Sequence, residues 1–91
     1  MLVARKFVIS GVVQGVGFRF FAQRSAARHQ VHGYVKNLED GRVEALAEGT
    51  DRMVEAFKDD LSAGPTYSQV EHVEETVLDP TGRYSAFRIE R

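Results

Sequence analysis

The sequence of 91 residues contains no cysteine, no tryptophan and only two prolines. Without cysteine the chain has no disulfide framework, no thiolate zinc site and no cysteine nucleophile. Its formal net charge of −1 provides no global positive field for nucleic acids or acidic membranes, so any attraction for an anion has to be local. No apolar stretch approaches the length that spans a bilayer, and residues 1–13 do not resemble a signal peptide. These absences predict a cytoplasmic monomer that forms one domain over residues 1–91.

The most informative segment is residues 11–19, which read Gly-Val-Val-Gln-Gly-Val-Gly-Phe-Arg. It lies between a strand-like run and a helix-like run, so its backbone N–H groups would open a helix whose dipole favours an anion. Arg19 adds a planar, permanently charged group suited to phosphate or carboxylate. No Lys-Ser/Thr pair follows, as a Walker A loop requires, and Phe20 stands where a dinucleotide fingerprint has glycine. The segment predicts an anion site other than a nucleotide site, the alternative being a glycine-rich turn that binds nothing.

The periodicity of the apolar residues predicts five strands and two helices. The strands lie at 6–13, 31–38, 43–48, 70–78 and around 87–89, and the helices at 20–30 and from Thr50 or Asp51 to about residue 63. Val70 and Val73 fall out of a period of two, which indicates an irregularity in the fourth strand. This order predicts an α+β two-layer sandwich: a ferredoxin-like βαββαβ fold with a mostly antiparallel sheet, two helices on one face and a short extra C-terminal strand. The fold alone does not decide the function.

A second segment, Gly33-Tyr34-Val35-Lys36-Asn37, is followed by Gly41, Val43 and Gly49. Together with residues 11–19, this pattern resembles the two signature segments of the acylphosphatases, without a departure from either. The resemblance extends over nearly the whole chain. It implies a metal-independent hydrolase that uses no cofactor and cleaves the carboxyl–phosphate bond of acyl phosphates. Its partners would be a small-molecule acyl phosphate and inorganic phosphate, with no nucleic acid and no membrane.

The resemblance also implies a role for individual residues. Arg19 would bind phosphate oxygens, and Asn37 would hold the attacking water. The phosphate would be bound by the loop residues Gln14, Gly15, Val16, Gly17, Phe18 and Arg19. These residue types suit the reaction, because a carboxylate leaving group has a pKa of about 4 and needs no general acid. Positioned donors are then able to carry most of the catalysis of phosphoryl transfer.

Two other functions stay open at this stage. An anion-sensing domain would keep the phosphate-binding loop without turnover, as related domains at the start of larger proteins that handle carbamoyl phosphate suggest. RNA binding on a ferredoxin-like sheet is disfavoured, because residues 43–48 contain no aromatic side chain and the net charge is unsuitable.

Three groups of residues are expected to be structural. The three histidines, His29, His32 and His72, show no metal-ligand spacing and are expected at the surface or in packing. Asp59 and Asp60 are expected to be solvated charges on a helix. At least two of the phenylalanines that follow the glycine loop are expected in the core; these are Phe18, Phe20 and Phe21.

Overall fold

The structure, a computed structural model, describes all residues from Met1 to Arg91. Its elements are β1 (Leu2–Val12), α1 (Phe18–His29), β2 (His32–Asn37), β3 (Val43–Thr50), α2 (Asp51–Ala63), β4 (Gln69–Leu78) and β5 (Phe87–Glu90). The strands form one sheet in the order β4-β1-β3-β2-β5, in which only β2 and β5 are parallel. The predicted ferredoxin-like sandwich with an extra C-terminal strand is confirmed. The two helices, with 12 and 13 residues, are too short to span a membrane.

Buried and more exposed residues alternate along the strands, and the buried ones define the face of the sheet that forms the core. Phe7 and Ile9 of β1 are fully buried, as is Val35 of β2, and all three belong to one cluster with apolar residues of both helices. The ring of Phe57 in α2 lies 6.3 Å from that of Phe7 and 5.4 Å from that of Phe87, centroid to centroid. Both helices therefore cover the same face of the sheet.

Two local predictions about single elements are confirmed. The side chain of Thr50 caps α2 by accepting a hydrogen bond from the N–H of Met53 at 3.3 Å. The irregularity in β4 is a bulge, because Ser10 pairs with His72 whereas the next residue of β1 pairs with Val70. One extra residue of β4 therefore lies between these pairs, and it breaks the period of two.

Asp60 joins the two helices and is not the solvated charge that the sequence predicted. Its Oδ2 accepts a hydrogen bond from the hydroxyl of Ser25 at 2.7 Å and lies 3.0 Å from Nε2 of His29. Burial alone would raise the pKa of Asp60, but the hydrogen bonds of Ser25 and His29 and the charge of Arg28 outweigh it and hold this pKa below its usual value. The buried hydroxyl of Ser25 is thereby satisfied at the interface between α1 and α2.

A buried carboxylate fixes the connection between β4 and β5. Only 4% of Glu48 is exposed. Its Oε2 accepts hydrogen bonds from the N–H and the hydroxyl of Thr81, at 2.8 and 3.1 Å, and its Oε1 accepts one from the N–H of Gly82 at 3.0 Å. These three donors compensate the loss of water around the carboxylate. The connection is therefore held against the sheet before β5 begins.

Candidate active site

The loop between β1 and α1 depends on two glycines in the left-handed region. Gly15 has a φ of 74° and Gly17 a φ of 77°. L side chains are strained in this conformation. A Cβ added at either position would meet no atom within 4 Å, so glycine is required by the backbone angle and not by crowding. The same open space leaves the backbone of the loop accessible to a ligand.

The N-terminus of α1 has no side-chain cap. The helix begins at Phe18, earlier than the sequence predicted, because Gly17 in its left-handed conformation serves as the N-cap and forms no side-chain hydrogen bond. The N–H of Phe21 donates to the carbonyl of Gly17 at 3.0 Å, so the N–H groups that precede it lack a partner within the helix. No acidic side chain lies in the first turn. This helix end therefore favours an anion.

Arg19 and Asn37 line the same small pocket, whose volume is about 140 Å³. The other lining residues are Val13, Gly15, Gly17, Phe18 and Phe20. Asn37 is the last residue of β2 and pairs with Val43 of β3, whose side chain belongs to the core face. The fold thus brings together the end of β2 and the start of α1, which are far apart in the sequence.

A larger cavity lies elsewhere, and it includes neither Arg19 nor Asn37. This open groove of about 890 Å³ runs between α1 and the residues before β5. We place the candidate site in the smaller pocket, because only there do a guanidinium, an amide and the free N–H groups of a helix end converge.

The guanidinium of Arg19 is attached to β5. Its Nη1 donates a hydrogen bond to the carbonyl oxygen of Glu90 at 3.1 Å. One helical turn further along, Nε2 of Gln23 donates to the carbonyl oxygen of Phe87 at 3.3 Å. Because a guanidinium has five N–H donors, the bond to β5 leaves several of them for a ligand. The hydrogen bond to β5 therefore orients Arg19 and leaves most of its donors unoccupied.

Gln14 connects the loop to the hairpin between β2 and β3. Its Nε2 donates hydrogen bonds to the carbonyl oxygens of Leu38 at 2.8 Å and Arg42 at 2.9 Å. Neither Gln14 nor Val16 lines the pocket, and the side chain of Val16 packs against the core. The side chain of Gln14 thus makes a structural contact that the sequence did not reveal.

Asp40 orders the turn that follows Asn37. Its carboxylate accepts hydrogen bonds from the backbone N–H of Arg42 at 3.1 Å and from the guanidinium Nε of Arg42 at 2.7 Å. The backbone hydrogen bond, together with the side chain of Arg42, holds the pKa of this exposed carboxyl below its usual value. The turn therefore keeps the carbonyl of Arg42 in place for Gln14.

The three phenylalanines after the loop have different surroundings, and the expectation that at least two lie in the core is wrong. Only Phe18 belongs to the core, with 1% of its surface exposed. Phe21 is half-buried and tilts against Phe18, with 6.0 Å between the ring centroids. Phe20 is 68% exposed and lies at the pocket. Consecutive positions on a helix point in different directions, so a cluster of three could not enter the core together.

Replacing Gln14 by leucine is expected to loosen the loop as well as the fold. Gln14→Leu removes two hydrogen bonds to carbonyl oxygens, so the free energy of unfolding should fall by about 1–3 kcal/mol in urea titrations. The affinity of the pocket for inorganic phosphate should fall, because the loop is no longer tied to the hairpin that carries Asn37. Ser62→Ala removes one local hydrogen bond within α2 and should change stability by less than about 0.5 kcal/mol. An unchanged affinity for inorganic phosphate in Gln14→Leu would contradict this role.

The comparisons with known proteins agree with this geometry. The family model described as Acylphosphatase matches residues 5–89. An acylphosphatase of Actinobacillus succinogenes is 44% identical over 90 residues, which cover 99% of this chain and all of that protein. The crystal structure of an acylphosphatase from Bacillus subtilis matches all of both chains with a TM-score of 0.94 and 36% identity. An acylphosphatase from Coxiella burnetii matches 98% of this chain and 93% of its own with a TM-score of 0.91 and 32% identity. A match of this extent in sequence and in fold, around a pocket built for an anion, shows that the chain belongs to the acylphosphatase family.

Proposed function

We propose that this chain hydrolyses small acyl phosphates at the carboxyl–phosphate bond, with Arg19 and the backbone of residues 15–18 on the phosphoryl group and Asn37 on the attacking water. The observation that carries the proposal is the convergence of three elements on one pocket of about 140 Å³. These are the uncapped start of α1, a guanidinium directed by β5 and an amide at the end of β2.

The phosphoryl group is the part of the substrate that suits the loop. In the transition state its equatorial oxygens carry the spread negative charge, and N–H donors fixed in advance stabilise that charge without reorganising. The water oxygen attacks phosphorus in line with the bond to the carboxyl oxygen. That bond breaks, its electron pair stays on the carboxylate, and inorganic phosphate forms.

Asn37 is suited to hold the water because its amide has no competing partner. The amide of Gln14 is bound to two carbonyl oxygens, whereas that of Asn37 takes part in no side-chain hydrogen bond of the structure. An amide is not a base, and the residues that line the pocket include no histidine, aspartate or glutamate. The phosphate itself is therefore the acceptor proposed for the proton of the water. The carboxylate leaves with a pKa of about 4 and needs no proton.

The decisive assay compares benzoyl phosphate with an alkyl phosphomonoester, each with and without a metal chelator. Benzoyl phosphate should be hydrolysed at the same rate in both conditions. The phosphomonoester should react at least about 100-fold more slowly, because its alkoxide leaving group needs a general acid that the pocket does not provide. Strong hydrolysis of the monoester or loss of activity with the chelator would contradict the mechanism. Phosphate binding without hydrolysis would instead identify an anion-binding module.

The site also supports a proposal about the assembly. The seven residues that line the pocket bring a guanidinium, an amide and a helix end together without a second copy of the chain. We propose a monomer in the cytoplasm that acts on a small molecule, and the net charge of −1 argues against a nucleic-acid or membrane partner.

A further inference from the structure

We infer that Phe20 is the surface against which the acyl group of the substrate packs, so that the enzyme favours acyl phosphates with an aromatic or large apolar acyl group. The inference rests on the proposed function and names the substrate class of the same site. The side chain of Phe20 is 68% exposed and lies at the pocket that contains Arg19 and Asn37.

The position of Phe20 has no explanation in the packing of the fold. Phe20 is neither part of the core cluster nor among the half-buried residues packed against it. The neighbouring rings of Phe18 and Phe21 pack against each other, whereas the ring of Phe20 pairs with no aromatic side chain. An apolar ring that stays exposed to water does not contribute the favourable free energy of burial to the stability of the fold. A ligand that covers the ring would recover it.

The size of the pocket decides which part of the substrate reaches Phe20. A volume of about 140 Å³ is well below the roughly 300–1,000 Å³ of sites that enclose a whole drug-sized ligand. Because the N–H donors of the loop and of Arg19 surround this pocket, the phosphoryl group is the part of the substrate that binds in it. In-line attack places the leaving carboxylate on the side of phosphorus opposite the water. The acyl group therefore lies outside the phosphoryl site, at the mouth where the ring of Phe20 is exposed.

The ring is also the large apolar surface available at that mouth. Val13 and Phe18, the other large apolar residues of the pocket, are each 1% exposed and already belong to the core. Aromatic rings that stack or meet edge to face gain affinity beyond simple burial, which corresponds to a factor of about 2 to 12 in binding. A benzoyl group would gain from this contact, whereas the single methyl of an acetyl group would gain little.

The test compares Phe20→Ala with the parent protein on benzoyl phosphate and on acetyl phosphate. For benzoyl phosphate the KM should rise about fivefold to tenfold with little change in kcat. For acetyl phosphate both constants should stay within about twofold. Phe20→Leu keeps an apolar side chain, so its KM for benzoyl phosphate should lie between that of the parent protein and that of Phe20→Ala. The inhibition constant of inorganic phosphate should not change in either variant, because the phosphoryl site is intact.

Tyr67→Ala is the matched control, since Tyr67 is an aromatic residue that is 84% exposed and does not line the pocket. It should leave the kinetics of both substrates unchanged. Two results would overturn the inference, provided that the parent protein hydrolyses both substrates. One is that Phe20→Ala raises the KM by the same factor for benzoyl phosphate and for acetyl phosphate. The other is that Phe20→Ala leaves the KM for benzoyl phosphate unchanged. A parent protein that hydrolyses neither substrate would overturn the proposed function as well.

Discussion

Replacing Arg19 by alanine is expected to lower kcat/KM for benzoyl phosphate by at least about 1,000-fold. Removal of a single fixed donor from a site of this kind costs about 100-fold to 1,000-fold, and loss of a charged arginine from a phosphoryl site costs about 1,000-fold or more. Inhibition by inorganic phosphate should disappear together with turnover, because the same guanidinium binds the product. Steady-state kinetics with phosphate as the inhibitor measure both effects.

The fold should survive this substitution. Arg19 contributes one exposed hydrogen bond to the carbonyl of Glu90, so Arg19→Ala should lower the free energy of unfolding by at most about 1.5 kcal/mol. Arg24→Ala is the matched control, because it removes the same charge from an exposed position on the same helix. Its activity should remain within about twofold of the parent protein. If Arg19→Ala keeps the parent kcat/KM, the guanidinium does not hold the phosphoryl group.

Asn37→Ala should separate turnover from phosphate binding. We expect kcat for benzoyl phosphate to fall by about 100-fold or more, because a water that is out of position by about 1 Å costs a factor of that order. The inhibition constant of inorganic phosphate should stay within about threefold, since the loop and Arg19 are unchanged. Single-turnover kinetics and phosphate inhibition measured on the same preparation provide both numbers.

Two further variants define what the amide does. Asn37→Asp preserves the shape of the side chain but adds a negative charge beside the phosphoryl group, so both kcat and phosphate affinity should fall. Gln69→Ala removes an exposed amide at the start of β4, outside the pocket, and should have no effect. Hydrolysis at the parent rate by Asn37→Ala would exclude a water-orienting role for this residue.

Much of the fold could be predicted because its signals are local. The alternation around Phe7 and Ile9 predicts the core face of β1, and the hydroxyl of Thr50 marks the start of α2. The irregular spacing of Val70 and Val73 indicates the bulge of β4. Each signal lies within a few residues of the feature that it describes. The sequence pattern predicts a start of α1 at residue 20, two residues later than Phe18, because a left-handed glycine caps this helix instead of a polar side chain.

The side-chain contacts that assemble the site could not be predicted in the same way. Gln14 bonds to a carbonyl 24 residues away and to another 28 residues away, and Glu48 to backbone groups 33 and 34 residues away. A polar residue between apolar ones does not reveal which distant donor or acceptor it will meet. The meeting of Arg19 and Asn37 likewise depends on the order of the strands, and only the resemblance of two segments to one family suggested it.

The attachment of Arg19 to β5 makes hydrolysis a kinetic marker for the completion of the sheet. The hydrogen bond to Glu90 spans 71 residues, and β5 also pairs with β2, the strand that ends in Asn37. Closing so long a loop costs conformational entropy, and the contacts that compensate this cost form only after the loop has closed. The contacts of α1 are local and form on a faster timescale. After dilution from denaturant, activity can therefore return no earlier than helical circular dichroism. Enzymatic activity would return only when the last strand has docked.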